Sequence, residues 1–237
     1  DQEARKRGNS SYFPDRVVPM LPDRLSGDLC SLHEGVPRAC VAVRMVIDAH
    51  GTKISHSFQR GLMRSVASLD YRTVQEAMDG TPNEKTAPLL EDVIRPLYAA
   101  YRALAEARNR RQPLNLDLPE RKIILAEDGT VQSVNFAGRL DAHKLIEEFM
   151  VLANVAAAEF LEEKKRPCMY RVHDEPSMAK IESLSEVLDS VHIRFDRGQT
   201  VTPHRFNQIL KKAHGTPHQQ MINDVVLRSQ AQAMYDP

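Results

Sequence analysis

The chain has 237 residues, enough for one large domain or two small ones, and its 42% hydrophobic and 27% charged content is that of a globular protein. Its 32 basic and 32 acidic side chains leave a formal net charge of +0, which excludes a chain that is basic throughout, as nonspecific binders of duplex nucleic acid are. The three cysteines lack metal-ligand spacing, no apolar run approaches the roughly 20 residues that span a bilayer, and the first residues contain no apolar signal core, so we expect a soluble, cytoplasmic protein.

Two contrasting segments open the chain. Residues 1–32 contain three prolines and little periodicity, which predicts an irregular segment. Residues 39–48 alternate apolar and polar side chains, and a turn follows at 48–51. Residues 53–68 then run back along the first strand as a second one. This pattern predicts a β-hairpin or meander with one apolar face, made by Val41, Val43, Met45 and Ile47.

Helical patterns follow the hairpin. Residues 71–78 predict a short helix that ends near Gly80. Residues 84–110 predict one long helix or two, because Pro88 and Pro96 each remove a backbone donor and mark a start or a kink.

A second hairpin precedes the strongest helical pattern. Residues 122–125 and 131–136 flank a turn at 127–129 and predict two antiparallel strands. Residues 140–161 then predict a long helix, expected to be central and largely buried near the strand around Val41, because apolar residues recur at helical spacing over about six turns. These residues are Leu145, Ile146, Phe149, Met150, Leu152, Ala153, Ala156 and Phe160.

The last third of the chain alternates strands and helices. Short strands are predicted at 169–173 and 191–195, and helices at 177–189, 202–213 and 217–234. The whole pattern predicts a single α+β domain over 1–237, with a mixed or antiparallel sheet packed on the long central helix.

A polar set on the long helix is the first candidate site. His143 and Glu147 are spaced i, i+4, and Asn154 lies two turns beyond Glu147 on the same side. A carboxylate flanked by Ile146 and Met150 would need a partner or a ligand if it were buried. The alternative is that Glu147 or Glu148 pairs with an arginine, and zinc is disfavoured because the helix has no HExxH motif.

Other polar and aromatic residues offer weaker candidates. His173, Asp174 and Glu175 follow a strand and could act as an acid–base cluster, although a histidine at a strand end is more often structural. Tyr12 and Phe13 lie in the proline-rich segment and could stack on bases or anchor that segment to the core. The absence of a P-loop, GxGxxG and GxSxG disfavours an ATPase, a dehydrogenase and an α/β-hydrolase.

Several long stretches together resemble the RNB family, which contains ribonucleases II and R. They are RGNSSYFPDRVVPMLPDRLSGDLCSL at 7–32, LDYRTVQEAMDG at 69–80, DAHKLIEEFMVLANVAAAEFL at 141–161, YRVHDEP at 170–176 and NDVVLRSQAQAMYDP at 223–237. They follow the order of the family from one end of the chain to the other. The resemblance is therefore more specific than any short motif.

The resemblance implies a processive, magnesium-dependent 3′→5′ exoribonuclease that hydrolyses single-stranded RNA to nucleoside monophosphates, with no preference for DNA and no membrane partner. It also implies that the chain is an internal part of the catalytic domain. The family's DxxDxDD-type metal carboxylates and SPIRRY-type catalytic arginine motif have no counterpart in this sequence, and neither do the flanking oligonucleotide-binding barrels. We therefore expect no metal ligands in this chain and no hydrolysis by these residues alone.

Three residues match family positions by their local motifs. Tyr12, in SSYFP, matches an aromatic that stacks on RNA near the 3′ end. Tyr71, in LDYRTV, and Glu147, the first glutamate of LIEEFM, match the pair beside the ribose at the scissile end, where Glu147 is the candidate catalytic residue. They are expected to approach each other or to face one cavity. The family's second stacking aromatic falls at 114–116, where this chain has none.

Two other functions remain open at this point. The chain could be a non-catalytic RNA-binding or regulatory protein with the same fold. It could also be a hydrolase that uses His143, Glu147 and His173 on another substrate.

Overall fold

The computed structural model describes residues 2–116, 120–195 and 202–237. They group into two compact units. The first contains residues 1–103 and 119–153, and the second contains residues 104–118 and 154–237. Helices and four two-stranded antiparallel ladders make up the described residues, which confirms the α+β prediction and selects the antiparallel arrangement. Of the helices that the structure describes, none is long and apolar enough to cross a membrane.

The N-terminal segment is more regular than its prolines predict. It contains α1 (Gln2–Arg7), the paired strands β1 (Ser11–Tyr12) and β2 (Val17–Val18), and a π-helical turn at Arg24–Leu29. Arg7 donates a hydrogen bond to the carbonyl of Pro19 at 2.8 Å and so connects α1 to the end of the ladder. The prediction of an irregular segment is wrong for these elements, because prolines limit their length without preventing them.

The first predicted hairpin is present as β3 (Pro37–Ile47) and β4 (Lys53–Arg64). At the turn, Asp48 Oδ1 accepts hydrogen bonds from the backbone N–H groups of His50 and Thr52, both at 2.8 Å. Neither strand contains an acidic residue. Together the two strands carry five basic residues: Arg38, Arg44, Lys53, Arg60 and Arg64.

The apolar face of this hairpin is not buried where β3 and β4 carry Val41 and Leu62. These side chains are 67% and 75% exposed. The expectation of a packed face is therefore wrong at these positions, since alternation shows which side chains share a face but not whether another element covers it.

The helices that follow contain the first core. α2 (Tyr71–Met78) has the predicted bounds, and a 3₁₀ turn at Ala87–Leu89 and a π-helical turn at Leu90–Ile94 lead into α3 (Arg95–Arg111). Pro88 lies at the start of the 3₁₀ turn, where its missing N–H costs no helical hydrogen bond, and Pro96 lies where the π-helical turn passes into α3. The buried residues of this core are Ala77, Ile94, Tyr98 and Leu145.

The second hairpin leads into the longest helix. β5 (Glu120–Leu125) and β6 (Val131–Ala137) pair as predicted, and α4 runs from Asp141 to Glu163. Leu145 and Ala156 are buried, but Ile146 and Met150 are 40% and 61% exposed, and Phe149 is half-buried. The prediction of a largely buried helix is thus wrong for part of its apolar stripe.

The second unit is built around three helices. These are α5 (Met178–Ser190), α6 (Pro203–Ala213) and α7 (Gln219–Ser229), next to the short ladder of β7 (Tyr170–Val172) and β8 (Met234–Asp236). Its core is buried almost completely. The core residues are Ile181, Leu184, Leu188, Phe206, Ile209, Ala213, Ile222 and Val226.

Two C-terminal predictions need correction. Residues 191–195 form a turn and an extended segment instead of a strand, because the N–H of Ile193 bonds back to the carbonyl of Leu188 at 2.9 Å. The apolar side chains Val191, Ile193 and Phe195 pack against the second core, which explains their alternation. The last predicted helix ends at Ser229 instead of residue 234, and β8 follows it.

Candidate functional site

Tyr71 is the first residue of α2, and the cap of that helix fixes its backbone. The carboxylate of Asp70 accepts a hydrogen bond from the N–H of Thr73 at 3.0 Å. This bond satisfies one of the free donors at the helix start and lowers the pKa of Asp70. The ring of Tyr71 is left 43% exposed.

The start of α4 is held by a side chain of α2. The amide oxygen of Gln75 accepts hydrogen bonds from the N–H of Ala142 at 3.2 Å and from the hydroxyl of Tyr98 at 3.1 Å. The Tyr98 side chain is buried, and burial together with the charges of Asp141 and Asp79 raises its pKa to about 12. Gln75 thereby joins α2, α3 and α4 in the first unit.

His143 connects the two predicted ribose residues. Its ring stacks on Tyr71 with centroids 4.1 Å apart and planes inclined by 26°. Glu147 lies four residues later on α4, one helical turn away on the same face. The structure therefore joins His143 to Tyr71 by a ring stack, and Glu147 follows His143 one turn later on α4.

Glu147 is not the buried carboxylate that the sequence pattern suggests. Its side chain is 37% exposed and forms an ion pair with Arg139, which lies in the segment between β6 and α4. The buried glutamate is its neighbour Glu148, which is 5% exposed. Of the two readings open from the sequence, pairing with an arginine is the one that the structure contains.

Tyr12 occupies a different part of the first unit. Its ring is 79% exposed on β1, and within the part of the chain that the structure describes it contacts neither the Tyr71 ring nor the His143 ring. Its neighbour Phe13 is 50% exposed, and the guanidinium of Arg16 lies 5.2 Å from the ring centroid. Both aromatic side chains are accessible, so neither anchors the segment by full burial.

The remaining candidates belong to the second unit. His173 follows β7 and lies 3.3 Å from the carbonyl of Ala231, a contact typical of a structural histidine. Asn154 is exposed on α4. Leu114 and Leu116, at the position of the second family aromatic, pack against the second core.

The described residues do not form a metal site. Across 2–116, 120–195 and 202–237, no group of three or more His, Cys, Asp or Glu side chains is arranged to hold a metal ion. Mg²⁺ is bound through one or two carboxylates and keeps several waters, so the absence of such a cluster from these ranges leaves no described residue assigned to the ion.

Arg139 and Gln75 are the residues that the sequence pattern did not reveal. Arg139 is eight positions before Glu147, outside the periodic part of the helix. Gln75 is on α2 and bonds to α4, a partnership set by the fold. His143 was visible as a candidate through its spacing to Glu147, but its stacking partner was not.

Known proteins match the whole chain. The RNB domain family model covers residues 1–237. Ribonuclease R of Escherichia coli (strain K12) is 37% identical over 239 residues, which cover 100% of this chain and 29% of that protein. Mycoplasma genitalium RNase R superposes with a TM-score of 0.89 in complex with ribose methylated single-stranded RNA and 0.90 in complex with double-stranded RNA. Both comparisons have 27% identity and cover 100% of this chain, but only 37% and 42% of the respective solved chains.

Proposed function

The chain belongs to the RNB domain family, and on that premise we propose that it contributes the ribose-binding side of an exoribonuclease active site. The enzyme would degrade single-stranded RNA processively from 3′ to 5′ and release nucleoside monophosphates. Similarity to ribonuclease R over the whole chain, and to an RNase R solved with RNA, supports this activity. The chain spans 29% of the length of the E. coli relative, so the activity belongs to the complete polypeptide that contains it.

The observation that supports the proposal is the stack of Tyr71 on His143, with Glu147 one helical turn from His143 on α4. A carboxylate accepts a hydrogen bond from a ribose 2′-OH, and a phenol donates or accepts one. A deoxyribose offers neither partner and leaves both groups unpaired at a cost. Tyr71 and Glu147 would therefore favour RNA over DNA, with Glu147 beside the scissile end.

Base stacking and metal chemistry complete the proposed reaction. The exposed ring of Tyr12 would stack on a base near the 3′ end, as aromatic platforms do in single-strand-binding proteins. Magnesium would supply positive charge to the attacking and leaving oxygens of the phosphodiester. No described residue is assigned to hold the ion, whose carboxylate ligands we place outside this chain.

The direct test uses the complete polypeptide and poly(A) labelled at its 5′ end. We expect monophosphates and a label that passes from the full-length RNA to one short end product without accumulating intermediates, with all hydrolysis abolished by EDTA and restored by Mg²⁺. The 237 residues alone should release no monophosphate. Label lost first as a mononucleotide would contradict the 3′→5′ direction, and tight binding without hydrolysis would favour the non-catalytic RNA-binding alternative.

The residue assignment has its own test. Glu147→Ala and Tyr71→Phe should reduce the ratio of kcat/KM on RNA to kcat/KM on the same oligonucleotide with deoxyribose. Equal losses on both substrates would contradict the ribose assignment while leaving the exonuclease proposal intact.

A further inference from the structure

We propose that Arg139 and His143 are positioning residues for ribose recognition, with Arg139 orienting the Glu147 carboxylate and His143 holding the Tyr71 ring. This inference deepens the proposed function and rests on the assignment of Tyr71 and Glu147 to the ribose. Arg139 and His143 contact the proposed ribose-binding residues, Glu147 and Tyr71, but are not themselves proposed to contact the ribose.

Arg139 restrains Glu147 through one oxygen only. Its Nη2 donates to Oε2 of Glu147, and Oε1 accepts no hydrogen bond from any residue in the described ranges. The Arg139 and Glu147 side chains are 52% and 37% exposed, a setting in which an ion pair contributes little to stability. Its main effect is geometric, because it favours the Glu147 rotamers that reach Arg139 and leaves Oε1 as an acceptor for a hydroxyl donor.

His143 restrains Tyr71 with a ring whose own orientation is fixed. Its Nδ1 accepts a hydrogen bond from the N–H of Leu140 at 3.2 Å. A backbone N–H can only donate, so Nδ1 is the acceptor in this contact. The ring is therefore tied to the backbone before α4 and presents a face on which Tyr71 stacks.

Both restraints originate in one short segment of chain. The N–H groups of Leu140 and Ala142 are bonded to His143 and Gln75, which fixes the beginning of α4. Arg139 precedes these residues directly and reaches forward to Glu147. The start of α4 thus determines the orientation of the two side chains that are proposed to contact the ribose.

The experiment for Arg139 compares cleavage of an all-RNA oligonucleotide with cleavage of the same oligonucleotide carrying one deoxyribose, moved stepwise from the 3′ end. In the complete polypeptide, Arg139→Gln should reduce the RNA preference about two- to fivefold, which corresponds to about 0.4–1 kcal/mol of discrimination. Arg139→Lys keeps the cation and should restore most of the preference. Arg95→Gln is the matched control, because Arg95 is also 52% exposed and pairs with a glutamate, Glu91, on the helix surface.

Two substitutions at His143 separate stacking from helix capping. His143→Gln keeps an acceptor for the Leu140 N–H but loses the ring, and it should reduce the RNA preference about as much as Arg139→Gln. His143→Phe keeps a ring for Tyr71 but loses the acceptor, and it should retain the preference even if thermal unfolding shows a lower Tm.

The outcomes distinguish this inference from the function on which it rests. If Glu147→Ala and Tyr71→Phe leave the RNA preference unchanged, the ribose assignment itself fails. If those two reduce the preference while Arg139→Gln and His143→Gln lower both rates equally, the positioning roles fail alone. A His143→Phe protein that loses the preference while His143→Gln keeps it would also overturn the stacking role.

Discussion

The two compact units bury their apolar side chains to different extents. In the second unit, α5, α6 and α7 enclose a core in which Leu188, Ile222 and Val226 are 0% exposed. The core of the first unit has four buried residues, and large apolar side chains such as Leu62 and Val66, 75% and 81% exposed, remain on its surface. Packing within the chain therefore buries the apolar side chains of the second unit more completely than those of the first.

The less packed unit is the one that carries the proposed recognition residues. Tyr71, His143 and Glu147 are held by a helix cap, a ring stack and an ion pair, and none of the three is fully buried. Accessible groups are needed to bind a ligand, and the hydrogen bonds of Gln75 supply restraint where apolar packing is sparse. The second unit is therefore the more completely packed one, whereas the first leaves its proposed recognition residues accessible to a ligand.

The largest expected effect is a core truncation in the second unit. Phe206 is 2% exposed, so Phe206→Ala should lower the free energy of unfolding by about 3–5 kcal/mol, from lost transfer energy and the cavity left behind. Urea denaturation followed by circular dichroism measures this change. A loss below about 1 kcal/mol would contradict the well-packed core.

The matched truncation in the first unit is Phe149→Ala. Phe149 is half-buried against the first core, so the same chemical change should cost roughly 1–2 kcal/mol. If both substitutions cost the same, the contrast between the two cores disappears. If they shift separate transitions, the two units unfold independently.

The next effect tests the hydrogen bonds at Gln75. Gln75→Leu leaves the Ala142 N–H and the buried Tyr98 hydroxyl without their acceptor, which should cost about 1–3 kcal/mol in the transition that Phe149→Ala shifts. Gln75→Glu keeps an oxygen acceptor for both donors but loses the Nε2 donor to Asp79, so it should recover only part of the loss. A Leu variant as stable as the native protein would show that packing alone holds α2 against α4.

The smallest expected effect is a change in the free energy of unfolding that appears only at alkaline pH. The folded-state pKa of Tyr98 is raised to about 12, mainly by burial, against about 10 in an unfolded chain. Its contribution to stability is fully present below about pH 10 and is lost as the pH rises through about 12. The difference in unfolding free energy between the native protein and Tyr98→Phe should therefore be constant below about pH 10 and shrink above it.

A second tyrosine provides the comparison for this titration. Tyr170, in the second unit, also has a pKa raised to about 12, because its hydroxyl donates to Glu162. Tyr170→Phe should therefore change the unfolding free energy of the second unit over the same alkaline pH range, between about pH 10 and about pH 12. A Tyr98→Phe profile parallel to that of the native protein up to about pH 12 would contradict the burial of Tyr98.

Sequence patterns predicted the elements whose causes are local. α2 has the predicted bounds because Asp70 caps its start and Gly80, with φ of 102°, follows its end. The turn between β5 and β6 matched because Thr130 bonds to Asp128 two residues earlier. Residues 191–195 misled because alternation also arises when a turn presents apolar side chains to a core.

The site was only partly accessible from the sequence. The i, i+4 spacing singled out His143 and Glu147, and family resemblance added Tyr71 and a role for Glu147. The exposure of Ile146 and Met150 could not be foreseen, because helical periodicity identifies a face but not its covering. The bonds of Arg139 and Gln75 depend on distances that only the folded chain defines.

The β3–β4 hairpin has a consequence for how copies of this chain meet. Among the described residues neither strand pairs with a third, so both are edge strands, the kind of strand along which another chain can pair. Its five basic residues and lack of acidic ones mean that two such ribbons cannot align edge to edge without opposing like charges. Dissolved salt screens that repulsion, so low ionic strength is the condition under which the ribbon best keeps neighbouring molecules apart.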